Sequence, residues 1–519
     1  MGTRADKPRP SATVSIRDPL VLAAIAAAAI QLAIVWLPNV PLGIPDEWVW
    51  HRIRYDGPEA AMLFLGLLFA VPVAAIYPLL CRLGDAAFGS ASRRARGLWL
   101  MGLLVGGFTW LWAIQETPPF AYDRLGRAPL VLYYPGTSGY FTQAQSADDF
   151  AAYLADYERL MSEGDVLHLG THPPGLIALH RGLLELYESS PALVDLTLAS
   201  RPESVRISEE VIAAFPVSNG GRLTRVEFAE LWGAALLVQV VAVATLIPLY
   251  HCVSRSAGAA AGWRAACLWP LVPALAVFLP KADAVYPFIG MTVLACWHCP
   301  GPPGIGRAMI AGAVFWFGMT LSLAMLPVAV LASLLSVQAI AVAESSTRRR
   351  VILLTLRDAT VVAMVFATLT AIVYVWADVD LLAVWRWNLR NHAAFYESSA
   401  RTYWKWLLVN PIELAFATGL PIAVCLVFAC RRVPSLTSTI WPVGIVVALL
   451  WLSGKNSGEA ARLWMFLIPW YLWVAAGGWE GAVGASRWRA ILSLQVTVAG
   501  LTAIRVSGFA FAEMIDGSG

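Results

Sequence analysis

The stretch AMIAGAVFWFGMTLSLAMLPVAVLASLLSVQAIAVA, Ala308 to Ala343, has no charged side chain, and Arg348-Arg349-Arg350 follows closely. As a single helix it would reach about 54 Å at 1.5 Å per residue. A hydrocarbon core is about 30 Å thick, so one straight span overshoots it. A break near Ala324–Pro327 gives two spans of ordinary length and fixes the sidedness of everything downstream. One side then gathers Arg4, Lys7, Arg9 and Arg17, Arg82, Arg93, Arg94 and Arg96, Arg255 and Arg264, and Arg307. It also gathers Arg348, Arg349, Arg350 and Arg357, Arg431 and Arg432, and Arg487 and Arg489. The short loops opposite hold about half as many, the asymmetry of the positive-inside rule. Left unbroken, the stretch would put the triple arginine on the other side and erase that bias.

Apolar runs like this one recur along the chain. The spacing predicts spans at roughly 19–37, 59–81, 97–115, 228–250, 265–279, 284–298, 308–321, 323–343, 352–376, 407–430, 439–453, 463–483 and 490–512. The expected fold is therefore an all-α polytopic membrane protein with about thirteen transmembrane helices. Composition agrees: 58% of the 519 residues are apolar or aromatic and 14% are charged, against about 25% charged in soluble domains. A water-soluble enzyme is excluded. A net charge of +3 gives no basic field for nucleic acid, and the 23 tryptophans suit interfacial belts. The seven cysteines are scattered in or beside apolar runs and give no disulfide framework. Cys296-Trp297-His298-Cys299 has metal-like spacing but no second pair, so buried thiols are expected. Residues 1–18 form a basic cytoplasmic N-terminus, and 19–519 form one transmembrane domain, interrupted by a long outer segment at 116–227. No internal repeat is visible.

In the outer segment, Asp148–Glu163 reads as a helix with Phe150, Leu154, Tyr157 and Leu160/Met161 on one face. Pro174–Glu188 repeats the pattern with Leu176, Leu179, Leu183 and Tyr187. Such amphipathic helices lie along a membrane surface, either as packing or as the roof of a lipid-facing cavity. Thr171-His172-Pro173-Pro174-Gly175 starts the second helix, where consecutive prolines fix the backbone around His172. In the first outer loop, Asp46-Glu47 lies between Pro45 and Trp48. Such a pair serves as a general base with its orienting partner, as metal ligands, or as a solvated turn.

The strongest motif is Ser453-Gly-Lys455-Asn456-Ser457-Gly458-Glu459-Ala-Ala-Arg462-Leu-Trp464, which runs straight into an apolar span. Glu459 and Arg462 share a helix face, so Glu459 can orient Arg462, and Arg462 with Lys455 can grip a phosphate. Charges at membrane depth are expensive, which makes these functional candidates. Lys281-Ala-Asp283 and the loop Asn388-Leu-Arg390-Asn391-His392, followed by Arg401, Tyr403 and Lys405, add cations on the same face. No glycine-rich nucleotide loop is present, so a phosphate carried on a membrane lipid fits these cations better.

The acidic pair, the His-Pro-Pro element after an amphipathic outer segment, and the Gly-Glu-x-x-Arg lead into a late span together resemble the GT-C superfamily. Its members are integral-membrane glycosyltransferases; in the protein O-mannosyltransferases and lipid A aminoarabinose transferases an Asp-Glu pair and a His-Pro-Pro-Leu element frame the catalytic loop. The resemblance implies a GT-C-like fold that moves a sugar from a polyprenyl-phosphate donor to a lipid, glycan or protein acceptor. It sets Asp46, Glu47 and His172 at the catalytic centre, with Gly175 where those relatives carry leucine. Lys281, Arg390, His392, Lys455 and Arg462 become the lipid-phosphate ligands, and Glu459 the residue that orients Arg462. Two spans separate the acids from the His-Pro-Pro element, unlike in those relatives. The segment Gly136–Ala144 resembles the family's acid-Tyr-Ala region without its acid, so Asp123, Asp148 and Asp149 stand as alternative bases. Some relatives use a divalent metal, Mg or Mn, and others none. The basic N-terminus and short loops fit a bacterial inner membrane with the site facing outward. A transporter or flippase of a lipid-linked or anionic substrate is the competing expectation.

Overall fold

The computed structural model describes residues 18–55, 60–163, 168–217, 222–297, 304–398, 401–432, 437–479 and 481–511. Arg4, Lys7, Arg9 and Arg17 and the His298-Cys299 half of the cysteine motif lie outside the described residues. The chain is helical almost throughout. The strands among the described residues are two short antiparallel pairs, Gly43–Ile44 with Trp48–Val49 and His51–Arg52 with Val506–Ser507. In lipid no water satisfies the backbone, so apolar runs close their own hydrogen bonds as helices.

Six helical runs are long and apolar enough to cross a membrane: Pro19–Trp36, Ala61–Phe88, Arg93–Gln115, Arg225–Phe278, Leu323–Val342 and Ser345–Ala377. A seventh forms if Tyr403–Thr418 and Leu420–Arg431, bent by 107°, count together. Ala282–Trp297, Ile305–Leu321, Thr439–Leu452 and Met465–Trp479 are shorter apolar helices. The molecule is a multispan helical membrane protein.

Three breaks in these runs have identifiable causes. The Ala308–Ala343 stretch does divide: Ser322 is extended (φ −164°), its hydroxyl accepts from Ala324 N–H, and a new helix starts beyond Met325. Arg225–Phe278 turns back at Gly258, whose φ of +82° suits glycine. A Cβ on Gly262 would lie 2.9 Å from Tyr250 O, although twelve residues of straight helix span about 18 Å. The chain therefore reverses between the stretches expected as spans near 228–250 and 265–279, the second of which is itself interrupted at Trp269–Val272. At Gly419 (φ +96°) the backbone groups freed by the bend are taken up by two buried glutamines. Gln31 donates to Phe416 O (2.9 Å) and accepts from Leu420 N–H (2.7 Å), while Gln495 donates to Thr418 O (2.9 Å).

Two expectations are corrected. Asp148–Glu163 is not one helix but two, Phe150–Ala155 and Tyr157–Ser162, divided at Asp156. The Asp156 carboxylate is drawn to Arg159 and its backbone leaves helical geometry, as a short polar side chain permits. Nor do the tryptophans all form belts. Trp110, Trp232, Trp263, Trp269, Trp406, Trp464, Trp470, Trp473, Trp479 and Trp488 are fully buried. Several tie helices together through the indole N–H, as Trp263 does to Cys81 O (3.0 Å) and Trp269 to Ala242 O (2.7 Å).

Candidate functional site

Four separate pieces of chain converge above the spans: Gly136–Tyr140, His168–Gly175, the Leu381–Ser398 helix, and Gly454–Leu463. The His168–His172 loop is pinned from two directions. Asn388 and Asn391 both donate to Gly170 O (3.0 Å each), Asn391 also donates to Met161 O (2.9 Å), and the Tyr157 hydroxyl donates to His172 O (3.1 Å). Pro173 and Pro174 then launch the Gly175–Glu188 helix. A Cβ on Gly175 would fall 2.4 Å from Thr320 O, so the helix start sits directly on the end of Ile305–Leu321. That contact explains glycine where the resemblance calls for leucine.

The Gly454–Glu459 loop is wound tightly, with Gly454, Asn456, Gly458 and Glu459 all at positive φ. Glu413 holds its far end, accepting from Ala460 N–H and Ala461 N–H (3.2 Å each) and from Trp50 Nε1 (3.1 Å). The short helix Ala460–Leu463, and Arg462 on it, is thereby fixed.

These elements enclose a polar cavity of about 310 Å³ whose wall includes His168, His172, His392, Arg401, Glu459 and Arg462. Arg462 pairs with Glu459 and, at 3.8 Å, with Asp283. Its Nε is buried without a hydrogen-bond partner, as is Nδ1 of His392. Burial, opposed by Asp283 and reinforced by Lys281, pushes the His172 imidazole down to about 4. His168 is held well below its ordinary range by burial and by Lys281 and Arg462, and His392 is lowered by burial and Lys455. Burial thus disfavours the protonated form of all three imidazoles.

A second cavity, of about 320 Å³, lies behind the first and is almost wholly apolar. The Gly175–Glu188 helix lines it with Leu176, Leu179 and Leu183, which fits the roofing alternative of the two the sequence left open, and Val238, Val285 and Phe317 line it as well. Leu179, Leu237 and Phe317 line it and are also 40–47% exposed, so the cavity opens sideways between Arg225–Ala244 and Ile305–Leu321, where lipid would lie. Tyr140 and His172 stand between the two cavities. Tyr140, on the apolar side, packs its ring 5.8 Å from that of His172 on the polar side. Lys281 also lines the apolar cavity, buried, with its ammonium donating to Thr137 O. Burial and the neighbouring Arg462, opposed by Asp283 and Glu459, push that ammonium down to about 7.

Of the residues singled out from sequence, His172, His392, Glu459 and Arg462 meet in the polar cavity, and Lys281 backs onto it. Arg390 and Lys455 are exposed outside it, Arg390 lying over the Trp387 ring (4.9 Å). The first-loop acids do not line it either. Asp46 is exposed at the tip of the Gly43–Val49 hairpin with φ +64°. Glu47 is consumed by four donors: Thr402 N–H (2.8 Å) and hydroxyl (2.7 Å), Lys405 Nζ (3.1 Å) and Trp406 Nε1 (2.7 Å). Burial would raise that carboxyl, but these hydrogen bonds outweigh it and hold the group at about 2. A carboxylate so engaged has no lone pair left for a metal, so the Asp46-Glu47 pair does not fit one, and no group of three potential ligands occurs among the described residues. Asp148 is exposed, Asp149 caps the Phe150–Ala155 helix, and Asp123 is buried near Arg127, outside the cavity wall; burial raises it to about 7. Sequence reasoning passed over His168 and named Asp283 without giving it a role. Asp283 had a local signal in its turn with Lys281; His168, four residues before His172, had only its spacing.

Fold and site together define a class: a helical, multispan membrane protein with a cationic polar cavity set against an apolar cavity that opens sideways. Compared with known proteins, the chain matches no protein-family model and no curated protein.

Proposed function

We propose that the protein is a GT-C-like glycosyltransferase that moves a sugar from a polyprenyl-phosphate donor to a lipid, glycan or protein acceptor. The full reading includes about thirteen membrane crossings, a bacterial inner membrane, and a site that faces outward. The observation that carries it is the pairing of the two cavities across Tyr140, Lys281 and Arg462. An amphiphile with an anionic head fits that pairing: prenyl tail in the apolar cavity, phosphate against Arg462 and Lys281, sugar in the polar cavity.

In this reading the acceptor oxygen attacks the anomeric carbon and the bond from that carbon to the phosphate oxygen breaks. The bonding pair leaves on the lipid phosphate, and the acceptor proton passes to a carboxylate. Glu459, in the cavity wall, takes that role in place of Asp46 or Glu47. Arg462 stabilises the charge growing on the phosphate, where a preorganised donor is worth most. Glu47 acts at one remove, holding Thr402 beside Arg401.

The test is turnover of a radiolabelled prenyl-phosphate sugar by the full chain in lipid, comparing wild type with Glu459→Gln and Asp46→Asn. Turnover lost in Glu459→Gln and kept in Asp46→Asn supports the class and the base. The reverse pattern returns the base to the first loop. A lipid-phosphate transporter is the second reading, favoured by the sharp break at Gly419, since transporters bind at interrupted helices. Donor that crosses vesicles unconsumed would establish it.

A further inference from the structure

Two phenols stand where the apolar cavity meets the charged groups. Tyr140 and Tyr286 both line that cavity, 5% and 2% exposed, and neither donates its hydroxyl proton to a described residue. The Ser322 hydroxyl beside Tyr286 donates to its oxygen and leaves its proton free. A buried O–H left unmet is costly, so the two phenols call for a ligand that brings acceptors. Arg462 and Asp283 act electrostatically on both, which puts the four groups in one neighbourhood, and Lys281 lines the same cavity. Burial holds the Tyr140 phenol well above its ordinary range, so it stays a neutral donor.

The charges around this seat cancel. Arg462 pairs with Glu459 and, at 3.8 Å, with Asp283, so one positive charge meets two negative ones. Lys281 supplies a second positive charge, which burial and Arg462 weaken near pH 7. Arg401 lies over the Phe395 ring (6.0 Å) and its charge acts on Tyr396, another residue of the polar wall. The seat is thus rich in hydrogen-bond donors while its two cations face two carboxylates.

We propose that this seat holds one negative charge and not two: it grips a phosphodiester, the singly charged link of a prenyl-phosphoryl sugar, and rejects the doubly charged phosphate monoester left when the sugar departs. This rests on the lipid-phosphate donor reading and deepens it, with Tyr140 and Tyr286 as binding residues. The diester oxygens take the phenol protons and bring one charge. A dianion would bring a second charge with no counter-ion into apolar surroundings, where an unpaired charge is expensive. During transfer the sum stays level. The phosphate gains a negative charge with the bonding pair, and the acceptor proton arriving on Glu459 removes one. Once Glu459 gives up that proton, the monoester carries one charge too many and leaves.

The experiment measures binding to the full chain in lipid nanodiscs at pH 8, where a phosphate monoester is a dianion. The probes are farnesyl methyl phosphate, a diester, farnesyl phosphate, a monoester, and farnesol. Wild type is expected to bind the diester at least about tenfold more tightly than the monoester. Glu459→Gln, which removes one negative charge, should tighten the monoester about tenfold and narrow that gap. Tyr140→Phe and Tyr286→Phe remove only the hydroxyl, and each should weaken the diester about tenfold and leave farnesol unchanged. Equal or tighter binding of the monoester by wild type, a comparison that needs no variant, overturns the inference and leaves the donor reading standing. So does a Glu459→Gln protein that binds the monoester no better than wild type, or unchanged diester binding in both phenylalanine variants. If wild type binds neither phosphate more tightly than farnesol, the donor reading falls and the inference with it.

Discussion

The first loop and the Ser453–Trp464 segment carry the same chemistry, acids beside tryptophan at the edge of an apolar span, and use it in opposite ways. Glu47 has both oxygens filled by Thr402, Lys405 and Trp406, and Trp50 three residues later is spent on Glu413. In the later segment Glu459 and Arg462 pair with each other and still face a cavity, and Arg462 keeps a buried N–H without a hydrogen-bond partner. The first loop is a brace and the later one a working surface. A charged group becomes available to a ligand when its neighbours leave part of its hydrogen-bonding capacity unused.

The sharpest way to break this contrast is Arg462→Ala. Turnover per folded molecule should fall about 10²- to 10³-fold, the usual loss of a preorganised transition-state donor, with some loss of stability as well because Glu459 and Asp283 lose their partner. Arg462→Lys should recover part of the rate, since it keeps the charge and loses the fork. Normal turnover in Arg462→Ala would remove the segment from the site.

Glu47→Gln should do the reverse, costing about 1–3 kcal/mol of stability through a broken buried network and much less in rate per folded molecule. The pH dependence has a definite sign. The Glu47 carboxyl is held down at about 2 in the folded chain against 4.5 ordinarily. Its stabilisation is therefore present above about pH 4.5 and lost as pH falls toward 2. Thermal melts across that range should show an acid limb in wild type that flattens in Glu47→Gln; identical limbs would make the brace irrelevant.

The smallest effect concerns Lys281, between the two cavities. Its ammonium is pushed down to about 7, so it loses its charge as pH rises through neutrality. Donor capture, read as kcat/KM, should decline above about pH 7 by up to tenfold per pH unit, and Lys281→Arg should flatten the decline. A flat wild-type profile would take Lys281 out of phosphate binding.

Much of the later segment was legible from sequence because its signal is local. Glu459 and Arg462 are three residues apart ahead of an apolar run, near enough to pair, although Glu459 lies at φ +59° just before the Ala460–Leu463 helix and not on its face as the spacing predicts. The apolar face of Leu176, Leu179 and Leu183 was visible in the same way, though not whether it packs or roofs a cavity. The status of Glu47 was not, because its partners lie 355 to 359 positions away. Arg390 and Lys455 looked equal to Arg462 as cations, and only packing turned them outward. The glycine after His172-Pro173-Pro174 looked like a departure from a motif until Thr320 was found against it.

Sequence by itself determined the membrane class, the helical architecture and that the Ala308–Ala343 stretch breaks, near Ala324–Pro327 by its reading, because hydropathy and backbone hydrogen bonding act over a few turns of chain. Tertiary structure alone decided which carboxylates are consumed, which histidines share a wall, and that an apolar cavity backs onto a polar one. Those outcomes depend on which donors and acceptors meet across hundreds of residues, and no local spacing encodes that.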